Sequence, residues 1–220
     1  MAVRIGDEAP DFVAQSTEGT IRFHDWIGDH WVVFFSHPKD FTPVCTTELG
    51  AVARLASEFQ KRHAKLLGLS VDTVEDHRKW MKDIEETQNC KMSYPVIGDP
   101  DFRVAKLYDM IHPNASGDPK TRTAADNATV RNVFFIGPDK RIKAVFTYPM
   151  STGRNWGEVL RTLDSLELTS EYKVATPANW KPGEDVIISP SVSDEEAKKQ
   201  YPEGWTRLKS YLRMVHHPHR

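Results

Sequence analysis

The sequence predicts an α/β fold: a mixed central sheet flanked by helices, followed by a small C-terminal appendage. Three observations carry this. Short apolar runs at 31–36 (WVVFFS), 65–71 (KLLGLSV) and 131–136 (RNVFFI) have the length and composition of buried strands. Between and after them lie segments with apolar residues at helical spacing. A turn at Gly137-Pro138-Asp139-Lys140 joins 131–136 to a partner run at 141–148, a hairpin that makes the sheet mixed. Strands alternating with helices place the helices on the faces of a partly parallel sheet.

Trp31 to Ser36 reads as a central strand, and His37 to Pro43 as a loop holding Pro38 and Pro43. The helix that follows carries Leu49, Val52, Leu55, Ala56 and Phe59 on one face. Lys65 to Val71 is a second strand. Thr73 to Thr87 is a helix with Val74, Trp80, Met81 and Ile84 inward. Tyr94 to Ile97 is a short strand and Phe102 to Tyr108 a short helix. Residues 109–129 are polar and hold Pro113, Gly117 and Pro119, which predicts a long loop. After the hairpin, Asn155 to Leu168 is a helix with Val159, Leu160, Leu163 and Leu166 inside. Beyond it, Pro177, Pro182, Pro190 and Pro202 punctuate a polar stretch with one strand candidate, Val186 to Ser189. Residues 1–169 therefore read as one domain. Residues 170–220 read as a C-terminal domain too small to make a core alone, expected to pack on the main domain or on a partner subunit.

The 220 residues are 39% hydrophobic and 27% charged, ordinary for a soluble protein. With 29 basic residues against 31 acidic ones, a formal charge of −2 and no long basic run, nucleic acid is not an expected partner. No apolar stretch is long enough to span a bilayer, and the N-terminal residues lack a signal-peptide pattern. A cytoplasmic, reducing compartment without stable membrane insertion is the expectation. The two cysteines, Cys45 and Cys90, exclude a disulfide framework and offer no zinc-site spacing. No metal or cofactor is expected.

Cys45 lies in the segment His37-Pro38-Lys39-Asp40-Phe41-Thr42-Pro43-Val44-Cys45, where a strand and short loop open into a helix. Thr42 suits the N-cap and Pro43 the first helical position, which puts Cys45 third. Its sulfur then lies in the first turn, where free N–H groups and the helix dipole favour negative charge. The Thr42 hydroxyl is expected to point at the Cys45 N–H, beside the sulfur. Pro38 removes a donor and stiffens the loop against bulk water. The thiolate is the nucleophilic form of cysteine, and a free thiol ionises near pH 8.5. Each unit of lowering requires about 1.4 kcal/mol, and an exposed helix terminus supplies about 0.3–1 kcal/mol. A nearby arginine is the expected source of the rest. The competing reading, a small buried hydrophobe at a helix start, has equal weight on these residues alone.

Pro38-x-x-x-Thr42-x-x-Cys45 is similar to the peroxiredoxin active-site pattern. The longer runs 36–49 (SHPKDFTPVCTTEL), 151–155 (STGRN) and 175–180 (ATPANW) resemble the 1-Cys subgroup of that family. The resemblance spans nearly the whole chain. It implies a thioredoxin-like fold and a thiol-specific peroxidase that reduces hydrogen peroxide and organic hydroperoxides to water and alcohols. It implies that Cys45 is the peroxidatic cysteine and passes through a sulfenic acid. By motif match, Thr42 binds the peroxide, Arg131 contacts thiolate and peroxide, Glu48 orients an arginine and Arg154 is a further arginine nearby. It also implies a homodimer or larger ring. The family usually has no resolving cysteine at the position of Cys90, so an external thiol is the expected reductant. His37 reads equally as a pocket residue and as a structural hydrogen-bonding one, and stands outside the expected catalytic set.

Two rival readings attach to the same fold. A thiol–disulfide oxidoreductase needs Cys-x-x-Cys, and Cys45 has no such partner. A redox-sensing or chaperone-like assembly protein would use Cys45 without fast peroxide turnover. Some relatives carry phospholipase activity on a Gly-Asp-Ser-Trp motif. This chain has Gly28-Asp29-His30-Trp31, and histidine cannot form an acyl-serine, so that activity is not expected.

Overall fold

A computed structural model describes residues 3–112 and 129–216. The expected loop over 109–129 therefore lies mostly outside the described residues. By packing, the chain divides into two compact units, Met1–Trp156 and Gly157–Arg220.

The first unit is built on a seven-stranded mixed sheet. Its strands are β1 (Val13–Ser16), β2 (Gly19–Arg22), β3 (Trp31–Ser36), β4 (Ala64–Ser70), β5 (Val96–Gly98), β6 (Arg131–Ile136) and β7 (Ile142–Tyr148). The spatial order is β2-β1-β5-β4-β3-β6-β7. β3, β4 and β5 run parallel, while β6, β7, β1 and β2 pair antiparallel with their neighbours. The helices are α1 (Phe23–Ile27), α2 (Pro43–Lys61), α3 (Val74–Gln88) and α4 (Arg103–Leu107). The sequence expectation omitted β1, β2 and α1. Their short alternating pattern, with single buried residues between exposed ones, is a weak signal for an edge hairpin.

β3 and β6 are buried at all six positions each, because helices cover both faces of the sheet. Val32 and Phe34 turn to one face, where α1, α4 and an aromatic cluster of Phe12, Phe23, Phe34, Tyr108 and Phe134 form the core. The alternate residue Phe35 points to the other face, against Tyr94 and Trp156. On α2 the buried residues are Cys45, Glu48, Leu49, Gly50, Val52, Ala56 and Phe59, so the apolar stripe continues one turn further as a cysteine and a glutamate. Gly50 lets α3 approach: a Cβ there would lie 2.5 Å from the Gln88 side chain.

The antiparallel pairing of β6 on β3 sets the site's location. Phe35 pairs with Val133, so the start of β6 lies beside the end of β3. Arg131 pairs in turn with Tyr148 at the end of β7. The chain leaving β7 thus returns to the loop that follows β3. Residues 86 positions apart in sequence, Cys45 and Arg131, meet there.

The second unit takes in all but the first residue of α5 (Trp156–Glu171), and the expected boundary at residue 169 lies within this helix. Its own four-stranded sheet has the order β10-β11-β9-β8, from β8 (Val174–Ala175), β9 (Val186–Ile188), β10 (Thr206–Lys209) and β11 (Leu212–Val215). α6 (Asp194–Gln200) opens on a capping box at Ser193 and Glu196. Leu168, Val174, Trp180, Val186, Ile188, Val192, Ala197 and Val215 form a buried apolar cluster. All of these but Leu168 lie in the segment expected to be too small for a core alone. Single apolar residues spread between prolines converge on Trp180, and no local period marks them.

Candidate active site

Cys45 occupies the third helical position of α2, with Pro43 first and Thr42 as the N-cap residue, as expected. The first helical bond, from Thr46 N–H to the Thr42 carbonyl, is 2.9 Å. The Thr42 side chain departs from the expectation. It makes no capping hydrogen bond, and its hydroxyl donates to the Lys39 carbonyl at 2.9 Å. The tight loop before α2 brings that carbonyl within reach, so the hydroxyl proton is used there and only oxygen lone pairs remain. Pro38 is buried in the same loop.

Cys45 is fully buried and not in a disulfide. The Arg131 guanidinium Nη1 donates to its Sγ at 3.3 Å. The same nitrogen donates to Glu48 Oε2 at 2.5 Å, while Nε and Nη2 donate to the Met150 carbonyl at 2.9 and 2.6 Å. Among the described residues, one N–H of Nη2 is left beyond these partners. Arg131 is 2% exposed, so its charge acts on the sulfur with little solvent between.

Glu48 sits one helical turn from Cys45 and joins two arginines. Arg154 donates from its backbone N–H and Nε to Oε1 at 2.7 and 2.8 Å, and from Nη2 to Oε2 at 2.9 Å. Arg154 Nη1 also donates to the carbonyls of Ser36 and Asn132, and its guanidinium packs over Phe35 and Trp156. Burial works against the charged carboxyl of Glu48. The hydrogen bonds and charge of Arg154, with the charge of Arg131, outweigh it and hold Glu48 below the ordinary carboxylate range.

A depressed carboxyl contributes stability that is present above its unfolded pKa and is lost as pH falls through the folded one. Glu48→Gln leaves two buried guanidinium groups without their counter-ion, which costs about 3–5 kcal/mol. Thermal denaturation near neutral pH is expected to show a melting temperature lower by about 10 °C. The gap between wild type and variant is expected to narrow as pH falls below about 4. An equal gap at pH 3 and pH 7 would show that Glu48 is not held ionised.

The loop between β3 and α2 holds a second buried cluster that the sequence reading did not assemble. His37 Nε2 lies 2.7 Å from Asp40 Oδ1, and His77 Nδ1 lies 2.5 Å from Asp40 Oδ2. His77 Nε2 reaches the Ile97 carbonyl at 3.0 Å. The Asp40 N–H donates to Asp72 Oδ2 at 2.9 Å, and Ser70 Oγ donates to the same oxygen at 2.6 Å. His77 lies on the inward face of α3 with Trp80 and Ile84. A histidine at apolar helical spacing was the available signal. The Met150 carbonyl had none, since a backbone acceptor carries no residue identity.

Residues 5–145 match the AhpC/TSA family, and residues 165–204 match the C-terminal domain of 1-Cys peroxiredoxin. A 1-Cys peroxiredoxin of Dictyostelium discoideum is 56% identical over 219 residues, covering 99% of this chain and 87% of that protein. Among solved structures, a mutant of the peroxiredoxin 6 of Arenicola marina superposes with a TM-score of 0.89 at 44% identity, covering 99% of each chain. The yeast mitochondrial 1-Cys peroxiredoxin, solved for its thiol resolving mechanism via glutathione and thioredoxin systems, gives 0.86 at 47% identity, covering 98% of this chain and all of that one. The fold is thioredoxin-like. A buried cysteine at a helix start, matched along its whole length to proteins of this kind, places the chain in the peroxiredoxin family, among the 1-Cys peroxiredoxins.

Proposed function

We propose that Cys45 is the peroxidatic cysteine and that Arg131 and Thr42 hold the peroxide against it, with Pro38, Glu48 and Arg154 supporting them. Thiol-dependent peroxide reduction is the activity of this family. The observation that carries the assignment is the 3.3 Å contact from the Arg131 guanidinium to Cys45 Sγ. The thiolate attacks the nearer peroxide oxygen in line with the O–O bond. That bond breaks, its electron pair goes to the far oxygen, and Cys45 gains an oxygen as sulfenic acid. The far oxygen takes a proton and leaves as water or alcohol. The free N–H of Arg131 Nη2 is the donor for the charge that develops on oxygen. Thr42, its own proton spent on Lys39, is an acceptor for the hydroperoxide O–H.

An external thiol then attacks the sulfenic sulfur and releases water. A second thiol reduces the mixed disulfide and restores Cys45. Glutathione and thioredoxin are the candidate reductants, by analogy with the yeast relative. Cys90 supports an external resolver. It is half-buried, weakly bonded to the Ile84 carbonyl at 3.9 Å, and burial first, with the Glu85 charge, pushes its thiol up against the pull of Arg54. A thiol kept protonated attacks slowly. No described helix is long and apolar enough to cross a membrane. Both cysteines are unpaired, which supports a reducing, cytoplasmic setting. Assembly into a homodimer or ring, with the second unit against a partner subunit, is part of the same reading. β7, the last strand of the sheet order, supports it by offering an edge that, past the contacts of Ile142 with Gly6 and Asp7, pairs with no further strand among the described residues.

The test is turnover of hydrogen peroxide by the pure protein with glutathione or thioredoxin as electron donor. Wild type and Cys90→Ser are expected to turn over at the same rate. Loss of turnover in Cys90→Ser would replace the external resolver by an internal one.

A further inference from the structure

We propose that Asp40 is a positioning residue for the peroxide step, its carboxylate bolting down the loop that carries Thr42 and leads into Cys45. The proposal rests on the reading of Cys45 as the peroxidatic cysteine.

Four elements converge on this residue, directly or through one intermediate. His37 stands at the end of β3, Ser70 and Asp72 at the end of β4, His77 on α3, and the Ile97 carbonyl that holds His77 on β5. Both carboxylate oxygens of Asp40 and its backbone N–H are engaged, and the residue is 2% exposed. His37 is fixed in turn through its backbone: its N–H donates to the Leu69 carbonyl, and its own carbonyl accepts from the Thr129 hydroxyl.

The next residue, Phe41, has φ of +54°, a left-handed conformation that a non-glycine residue adopts at a cost. The residue is 54% exposed and its ring meets Trp80 at 6.2 Å on one side, so packing of Phe41 holds the turn only in part. The anchors on either side add to this: the Asp40 cluster before it, and after it the Thr42 hydroxyl on Lys39 and Pro43 in the helix. From α3, the Trp80 indole N–H donates to Thr46 Oγ1, which itself donates to the Thr42 carbonyl. Thr42 is thus tied to the first turn of α2, and the turn that leads into it is tied to the sheet and to α3 through Asp40.

The charges that face Asp40 are His37, His77 and, through its backbone, Asp72. Burial opposes the ionised carboxyl, yet the hydrogen bonds and charges of His37 and His77 hold it at about 2. Burial likewise opposes the charged imidazole of His77, and the bond and charge of Asp40, with the Ile97 carbonyl and the Asp72 charge, push it up. A buried charged cluster is a poor stabiliser compared with apolar packing, but its directional bonds fix geometry.

Cys45 must be pre-aligned for the small peroxide, whereas an external thiol must reach a sulfur that is fully buried. Loosening the bolt therefore acts oppositely on the two half-reactions. The experiment is stopped-flow oxidation of reduced protein by hydrogen peroxide, followed in a second mix by reduction with glutathione. Asp40→Asn is expected to slow oxidation on the order of 100-fold, as for other angstrom-scale misplacements, without slowing reduction. Ile27→Val, a buried truncation in α1, is the comparator and is expected to lower the melting temperature without splitting the two rates. Unchanged oxidation in Asp40→Asn overturns the proposal. So does an equal fall of both rates in proportion to the melting temperature. If Asp40→Asn does not fold, His77→Asn keeps an N–H where Nδ1 lies and is expected to show the same split at smaller amplitude; its absence overturns the proposal. A fluorescence burst retained in Cys45→Ser would instead refute the reading of Cys45 on which this rests.

Discussion

Cys45→Ser is expected to abolish peroxide reduction and leave the fold intact. The side chain is fully buried at the start of α2, and serine is smaller by little, so the apolar stripe of Leu49, Val52, Ala56 and Phe59 is undisturbed. The serine oxygen can still accept from Arg131 Nη1, so no buried donor is orphaned. What is lost is the nucleophile. A thiol has an accessible thiolate near neutral pH and a hydroxyl does not, and sulfur alone is oxidised to a sulfenic acid that a second thiol can reduce. Stopped-flow tryptophan fluorescence after mixing with hydrogen peroxide is expected to give a single second-order phase in wild type. No phase is expected in Cys45→Ser, and a wild-type phase in Cys90→Ser. A melting temperature within a few degrees of wild type would show that the loss is chemical. Wild-type oxidation no faster than a free thiol would instead favour the sensor or assembly reading of the same fold.

Much of this site was legible in the sequence because its parts are local. The order Thr42, Pro43, Cys45 is a helix-start pattern whose chemistry follows from registration alone, and the register is found as expected. The run 131–136 is a strand at those bounds, since the apolar residues Val133 to Ile136 leave little choice for a segment buried on both faces. Other features were not legible because their cause lies far along the chain. The Thr42 hydroxyl turns to Lys39 rather than to the helix because of the loop geometry around Phe41, and that geometry depends on Asp40, Asp72 and His77 meeting from different elements. The edge hairpin of β1 and β2 shows few apolar residues because one side of it faces solvent. The C-terminal unit has a buried cluster around Trp180 that no period announces, because short strands between prolines contribute one or two residues each.

Arg131→Gln is expected to lower kcat/KM for hydrogen peroxide by about 10²–10³-fold, the range for loss of one preorganised charge-stabilising donor, or about 3–4 kcal/mol. The two arginines of the site divide the work. Arg131 alone touches the sulfur among the described hydrogen bonds of the pair, while Arg154 donates to Glu48 and to the carbonyls of Ser36 and Asn132. Removing Arg131 leaves Glu48 with the three hydrogen bonds from Arg154, so the buried carboxylate keeps a counter-ion and the fold survives. The chemistry does not, because both the positive charge against Sγ and the free Nη2 donor go together. Arg131→Lys keeps a charge but not the planar fork that spans Sγ, Glu48 and the Met150 carbonyl, and is expected to recover only part of the rate. Arg154→Lys acts through Glu48 and is expected to lower the melting temperature more than the rate. The pair of measurements is the second-order rate and the melting temperature for all three variants. If Arg154→Lys slowed oxidation as much as Arg131→Gln at equal stability, the charge beside the sulfur would not be the dominant contribution, and the shared carboxylate would have to carry the catalytic effect for both.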